Sequence, residues 1–65
     1  MSITLKAARV NKNLTQREAA EVMGISVETI KNWEAGRSYP NVIQLKKIEQ
    51  TYDVSYNDIN FLGFF

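Results

Sequence analysis

A chain of 65 residues with no cysteine and no histidine lacks both staples on which many small domains depend. No disulfide can close it, and the usual soft and imidazole metal ligands are missing. At this length folding buries only about 60% of the unfolded chain's surface, which leaves a stability of a few kcal/mol. Regular packing of helices in one domain, residues 1–65, is what remains. The lack of cysteine agrees with a reducing, cytoplasmic setting. No apolar run approaches the roughly 18 residues that cross a bilayer, and the N-terminus has no signal-peptide core.

Start and stop signals for helices recur along the chain. Thr15-Gln16-Arg17-Glu18 is a capping box, in which the Thr15 hydroxyl and the Glu18 carboxylate each satisfy a backbone N–H of the other. Asn41-Val42-Ile43-Gln44 repeats that logic, and Ser26 and Ser55 are further cap candidates. Gly24 and Gly36 each follow a helical stretch, where a residue tolerant of positive φ ends the helix. Pro40 closes a loop just ahead of Asn41. The signals predict five short helices, near Thr4–Lys12, Gln16–Met23, Val27–Ala35, Val42–Tyr52 and Tyr56–Leu62. No stretch sustains the period-two alternation of a strand, so the expected class is all-α.

The apolar residues agree with that division. Leu5 and Ala8, then Ala19, Ala20 and Met23, then Ile30 and Trp33 fall at helical spacing, and Val42, Leu45, Ile48 and Tyr52 form a longer stripe. Ile59 and Leu62 serve the fifth helix, while Leu14, Ile25 and Val54 are placed to plug the gaps between helices. Between Gln16 and Glu34 the residue types obey a geometric demand. Where two helices cross steeply, the first needs a small residue at the crossing (Ala20). The turn needs positive φ (Gly24), and the second helix needs a branched side chain to bury (Ile30, extended by Trp33). A short turn of this kind leaves the second helix projecting, free to enter a groove.

The set Leu14-Thr15-Gln16, Ala20, Gly24-Ile25-Ser26, Ile30, Trp33-Glu34, Gly36-Arg37 and Pro40 resembles the Cro/CI-type (lambdoid repressor-like, XRE-type) helix-turn-helix domain. The resemblance runs from about Leu5 to Leu62. It implies a compact five-helix DNA-binding domain of a phage or bacterial transcription regulator, with repression the expected sense. Two positions depart from the family pattern. Ala19 stands where a larger aliphatic is usual, so a neighbour such as Trp33 or Met23 fills the space or the core is underpacked there. Val27 and Glu28 replace amide side chains that several lambdoid repressors use, which leaves the operator sequence open.

With Ile30 and Trp33 inward, the outward positions of the second motif helix are Val27, Glu28, Thr29, Lys31 and Asn32, and the resemblance assigns base reading mainly to Val27, Glu28 and Asn32. Asn32 suits adenine N6/N7 and Glu28 suits cytosine N4, while Val27 or the Thr29 methyl suits a thymine methyl and Lys31 a guanine or a phosphate. Phosphate contacts are expected from Gln16, at a helix N-terminus that favours an anion, and from Arg37, Ser38 and Tyr39 after the recognition helix, with Thr15 and Arg17 as additions. Tyr39 has packing on Pro40 as an equal reading. Arg9, four residues after Leu5, puts a charge on an apolar face and needs a partner. The resemblance implies that this partner is Glu34, in an ion pair joining the first helix to the third.

The charge balance tempers this. Eight Lys and Arg against seven Asp and Glu give a net charge of +1, less basic than most nucleic-acid binders. The excess lies in residues 1–40, where Lys6, Arg9, Lys12, Arg17, Lys31 and Arg37 face Glu18, Glu21, Glu28 and Glu34. Near-neutrality and Glu28 keep a second reading open, that of a helical protein-interaction or antitoxin-like module with the same fold. An enzyme is not expected: no dyad, metal spacing or phosphate loop is present, and no cofactor or small-molecule substrate is implied. The resemblance further implies a homodimer on a pseudo-palindromic operator of double-stranded DNA. The apolar end, Phe61-Leu62-Gly63-Phe64-Phe65, either closes the core or offers Phe64 and Phe65 to a second subunit.

Overall fold

The computed structural model describes residues 2–61. Four α-helices carry the fold: α1 (Leu5–Asn11), α2 (Gln16–Met23), α3 (Val27–Ala35) and α4 (Val42–Tyr52). Each begins at a side chain that accepts a backbone N–H of the first turn: Thr4 for α1, Thr15 for α2, Ser26 for α3 and Asn41 for α4. The caps of α2 and α4 are full capping boxes, closed by Glu18 and Gln44. Such a cap contributes about 1 kcal/mol, a large share for a domain this small.

The two motif helices end in the same way. Gly24 takes φ +70°, donates to Glu21 O (3.2 Å), and lets Ile25 N–H reach back to Ala20 O (3.0 Å). Gly36 takes φ +76°, donates to Trp33 O (3.2 Å), and lets Arg37 N–H reach Asn32 O (2.9 Å). These paired bonds satisfy carbonyls that a helix end leaves open. Lys47 of α4 adds its ammonium to Met23 O at 3.1 Å, a cation at the negative end of α2.

The core is Leu5, Ala8, Ala19, Ala20, Met23, Ile30, Trp33, Ile48 and Tyr52. Ala19 and Ala20 are 0% and 2% exposed, so the small residues of α2 sit where the other helices close on it. Leu14, Ile25 and Val54 pack half-buried against this core, as plugs between helices. Val42 departs from the expected stripe. It is 70% exposed, because the apolar face of α4 continues in sequence past the neighbours that cover Ile48 and Tyr52.

The fifth helix is a second correction. After Asp53, which ends α4 at φ +54°, the chain makes one 3-10 turn, Tyr56–Asp58, capped by Ser55. Ile59–Asn60 is then extended and forms a two-residue strand, β2, parallel to β1 (Ile3–Thr4), with Ile3 beside Ile59 and Thr4 beside Asn60. Tyr56, Asn57 and Asp58 are all exposed and give no buried face to hold a helix, whereas pairing with β1 seats Ile3 and Ile59 against the core. The domain is thus mostly helical, with a short strand pair joining its two ends. Phe61 also packs on the core. Leu62, Phe64 and Phe65, with the readings attached to them, lie outside the described residues.

Candidate nucleic-acid interface

The placement of α3 follows from its two buried residues. Ile30 and Trp33 are 1% and 5% exposed, three apart, and turn one face of α3 onto α2 and α1. Glu28 and Lys31 are exposed on the remainder, and Thr29 and Asn32 are half-buried. Val27, expected to point outward, is half-buried and packs against the core. At the first position of the helix it is drawn toward the same apolar side as Ile30. Ser26 organises the first turn: its Oγ accepts from Thr29 N–H (3.1 Å) and lies 2.9 Å from Thr29 Oγ1. The Thr29 hydroxyl therefore has a partner within the domain. Glu28, in the first turn of α3, also gains from the positive end of the helix dipole.

Thr15 is exposed, but its side chain accepts from Glu18 N–H at 3.0 Å while its own N–H donates to Glu18 Oε1 at 2.9 Å. Arg17 and Arg37 are exposed, Ser38 is half-buried, and Tyr39 is 41% exposed. Among the described residues Arg17, Lys31 and Arg37 form no ion pair, in contrast to Lys12, which meets Asp53 at 3.4 Å on the surface. Three cations on α2, α3 and the loop that follows are thus left to solvent.

Behind this surface lies a buried polar cluster. Arg9 grips Glu34 with two prongs, Nε to Oε2 at 2.7 Å and Nη2 to Oε1 at 3.2 Å, and donates Nη1 to Leu14 O at 2.8 Å. The hydrogen bond to Glu34 holds the Arg9 guanidinium above its ordinary pKa, against the opposing effect of burial. Gln16 Nε2 donates to the same Glu34 Oε1 at 3.1 Å. Tyr52 stands near this cluster, and burial first, then the Glu34 charge, push its hydroxyl up to about 12. The Gln16 link and the Leu14 carbonyl acceptor were not legible in the sequence, where Gln16 reads only as a helix start and a phosphate contact. Among the described residues no group of acidic side chains is arranged to hold a metal ion.

A small residue at the crossing, a positive-φ glycine, and a capped second helix with its polar side out define a helix-turn-helix. The chain belongs to the XRE-type helix-turn-helix family of DNA-binding transcription regulators: the family model described as "Helix-turn-helix" matches residues 5–59. A curated relative, the HTH-type transcriptional activator BcrR of Enterococcus faecalis, is 38% identical over 55 residues, which cover 85% of this chain and 27% of the relative. The chain therefore spans little more than a quarter of that protein's length. No solved structure matches the chain. No helix among the described residues is long and apolar enough to cross a membrane.

Proposed function

We propose that this domain binds double-stranded DNA in a sequence-specific way, with α3 lying in the major groove. The observation that carries the reading is the division of α3. One face is committed to the core through Ile30 and Trp33, and the other leaves Glu28, Lys31 and Asn32 to meet base edges. Asn32 suits adenine, Lys31 a guanine or a phosphate, and Glu28 a cytosine amino group. Val27 takes a lesser part, since it leans on the core. Thr29 contributes through its methyl group, its hydroxyl being engaged with Ser26. Gln16 and Arg17, at the start of α2, and Arg37, Ser38 and Tyr39, in the loop that follows α3, are assigned to the phosphate backbone, with Thr15 limited by its capping bonds.

One helix reaches only a few base pairs, and each good contact discriminates by roughly 1–3 kcal/mol. A genome offers on the order of a million or more competing sites, so one domain alone discriminates too little. Two copies on a pseudo-palindromic operator, with half-sites about 34–36 Å apart, double the readout. The regulatory sense follows from where the operator lies: over the promoter it represses, and beside the polymerase it permits activation. The relative's name says activator, which weighs against assuming repression.

Selection of bound fragments from genomic DNA, followed by affinity measurement over a salt series, tests the reading. Two to three phosphate-neutralising cations per domain give a log–log slope of about −2 to −3 per domain. Near-neutrality and exposed Glu28 favour the competing reading, a protein-interaction or antitoxin-like module. Duplex binding absent at low salt decides for that alternative.

A further inference from the structure

The Glu34 carboxylate does more than neutralise Arg9. Its Oε1 accepts from both Arg9 Nη2 (3.2 Å) and Gln16 Nε2 (3.1 Å), while Oε2 takes Arg9 Nε (2.7 Å). Arg9 in turn is anchored to Leu14 O at 2.8 Å, two residues ahead of Gln16. The Arg9 and Glu34 side chains are 9% and 8% exposed, so the carboxylate is clamped on one side by a guanidinium that cannot drift. On its other side it presents a fixed acceptor to the first residue of α2.

A glutamine at a helix start has three rotatable bonds and a broad terminal torsion. The Glu34 carboxylate selects one arrangement and consumes one of the two amide N–H groups, leaving the second N–H and the amide oxygen available. We propose that Glu34 is a positioning residue for DNA binding. It does not touch DNA, but it holds the Gln16 amide so that the second N–H meets a phosphate oxygen. This rests on the reading above that Gln16 lies against the backbone of the duplex. The rotamer freedom of Gln16 is then lost on folding rather than on binding, which strengthens the contact. Gln16 is neutral, so its contact releases no counterion, and losing it lowers affinity equally at every salt concentration.

The test is a double-mutant cycle on duplex binding by the whole chain, read by fluorescence anisotropy on a selected genomic duplex. The temperature is one at which circular dichroism shows every variant folded. Gln16→Met weakens binding about 5- to 10-fold, on specific and non-specific duplexes alike, with the salt slope unchanged. Glu34→Gln, which keeps the shape and removes the charge, weakens binding about threefold in the natural background and not at all in the Gln16→Met background. If Glu34→Gln fails to fold, Glu34→Asp, which keeps the charge for Arg9 but shortens the reach to Gln16, takes its place. NMR of the free protein gives a readout that a purely structural role would not move. One Gln16 side-chain amide proton is shifted and slow to exchange in the natural chain, and returns to free-amide behaviour in the Glu34 variant while the fold is retained. Additive losses in the cycle, or a free-amide signal for Gln16 in the natural chain, overturn the proposal while leaving DNA binding intact. A natural chain with no salt-sensitive duplex binding overturns both.

Discussion

Replacing Arg9 with methionine removes three hydrogen bonds at once, two to Glu34 and one to Leu14 O. Methionine restores much of the volume, so the loss is chiefly electrostatic. The Glu34 carboxylate, 8% exposed, is left with Gln16 alone. Breaking a buried pair from one side costs about 3–5 kcal/mol, because the remaining charge is stranded. A chain of 65 residues has a total stability of about 3–10 kcal/mol at ordinary values per residue. Arg9→Met is therefore expected to remove at least about a third of that stability, and all of it if the natural chain sits at the low end of the range. Urea unfolding followed by far-ultraviolet circular dichroism measures this: with a slope of about 1 kcal/mol per molar, the midpoint falls by about 3 M or the native baseline disappears. Arg9→Met with Glu34→Leu replaces the whole pair by apolar groups and is expected to recover most of the lost stability. An Arg9→Met domain within about 1 kcal/mol of the natural chain, or a double variant no better than the single one, would refute the idea that the pair is buried and strongly coupled.

Four further outcomes follow from the same structure. Tyr52 has its pKa raised from 10.0 to about 12 in the folded chain, so the unfolded state releases its proton first. The stability this confers is whole below pH 10 and declines as pH rises from 10 to 12, by about 2–3 kcal/mol in all; unfolding across that range shows the decline, and Tyr52→Phe removes it. Gly24→Ala meets no atom within 4 Å of the added Cβ but must keep φ at +70°, so it costs about 1–2 kcal/mol from backbone strain alone, with Gly24→Asn milder, as urea midpoints will report. Asn32→Ala is expected to relax base preference at one operator position by roughly 1–3 kcal/mol, measured by binding to a panel of single-base operator variants. Arg37→Ala is expected to weaken all duplexes alike and flatten the salt slope by about one unit, and a changed base preference instead would reassign Arg37 to the groove.

Four helices and both motif turns could be read from the chain, and three of those helices are marked by their own chemistry. The capping boxes at Thr15 and Asn41, the cap at Ser26, and the glycines at 24 and 36 act within a few residues of themselves, and local chemistry survives in a linear reading. The parallel pairing of Ile3 with Ile59 is different in kind. Two-residue strands have no periodicity, and their partners lie at opposite ends of the chain, so Tyr56–Leu62 reads locally as another helix. Val42 illustrates a third case: it keeps the spacing of the α4 stripe, but spacing does not say where the covering neighbours stop. In the interface, the inward set Ile30 and Trp33 was legible from period alone, whereas the pull of Val27 toward the core was not. The Arg9–Glu34 pairing came from resemblance rather than from spacing. The share of Glu34 taken by Gln16 depends on side-chain reach in three dimensions, which no sequence pattern encodes.

Intermolecular nuclear Overhauser contacts between the labelled domain and a selected duplex test whether α3 lies in the major groove. Contacts are expected from Glu28, Lys31 and Asn32 to major-groove protons, the cytosine H5 and thymine methyl groups, with none from the exposed start of α4 at Val42 and Ile43. Contacts confined to minor-groove protons, or reaching the duplex through α4 while α3 stays silent, would contradict that placement.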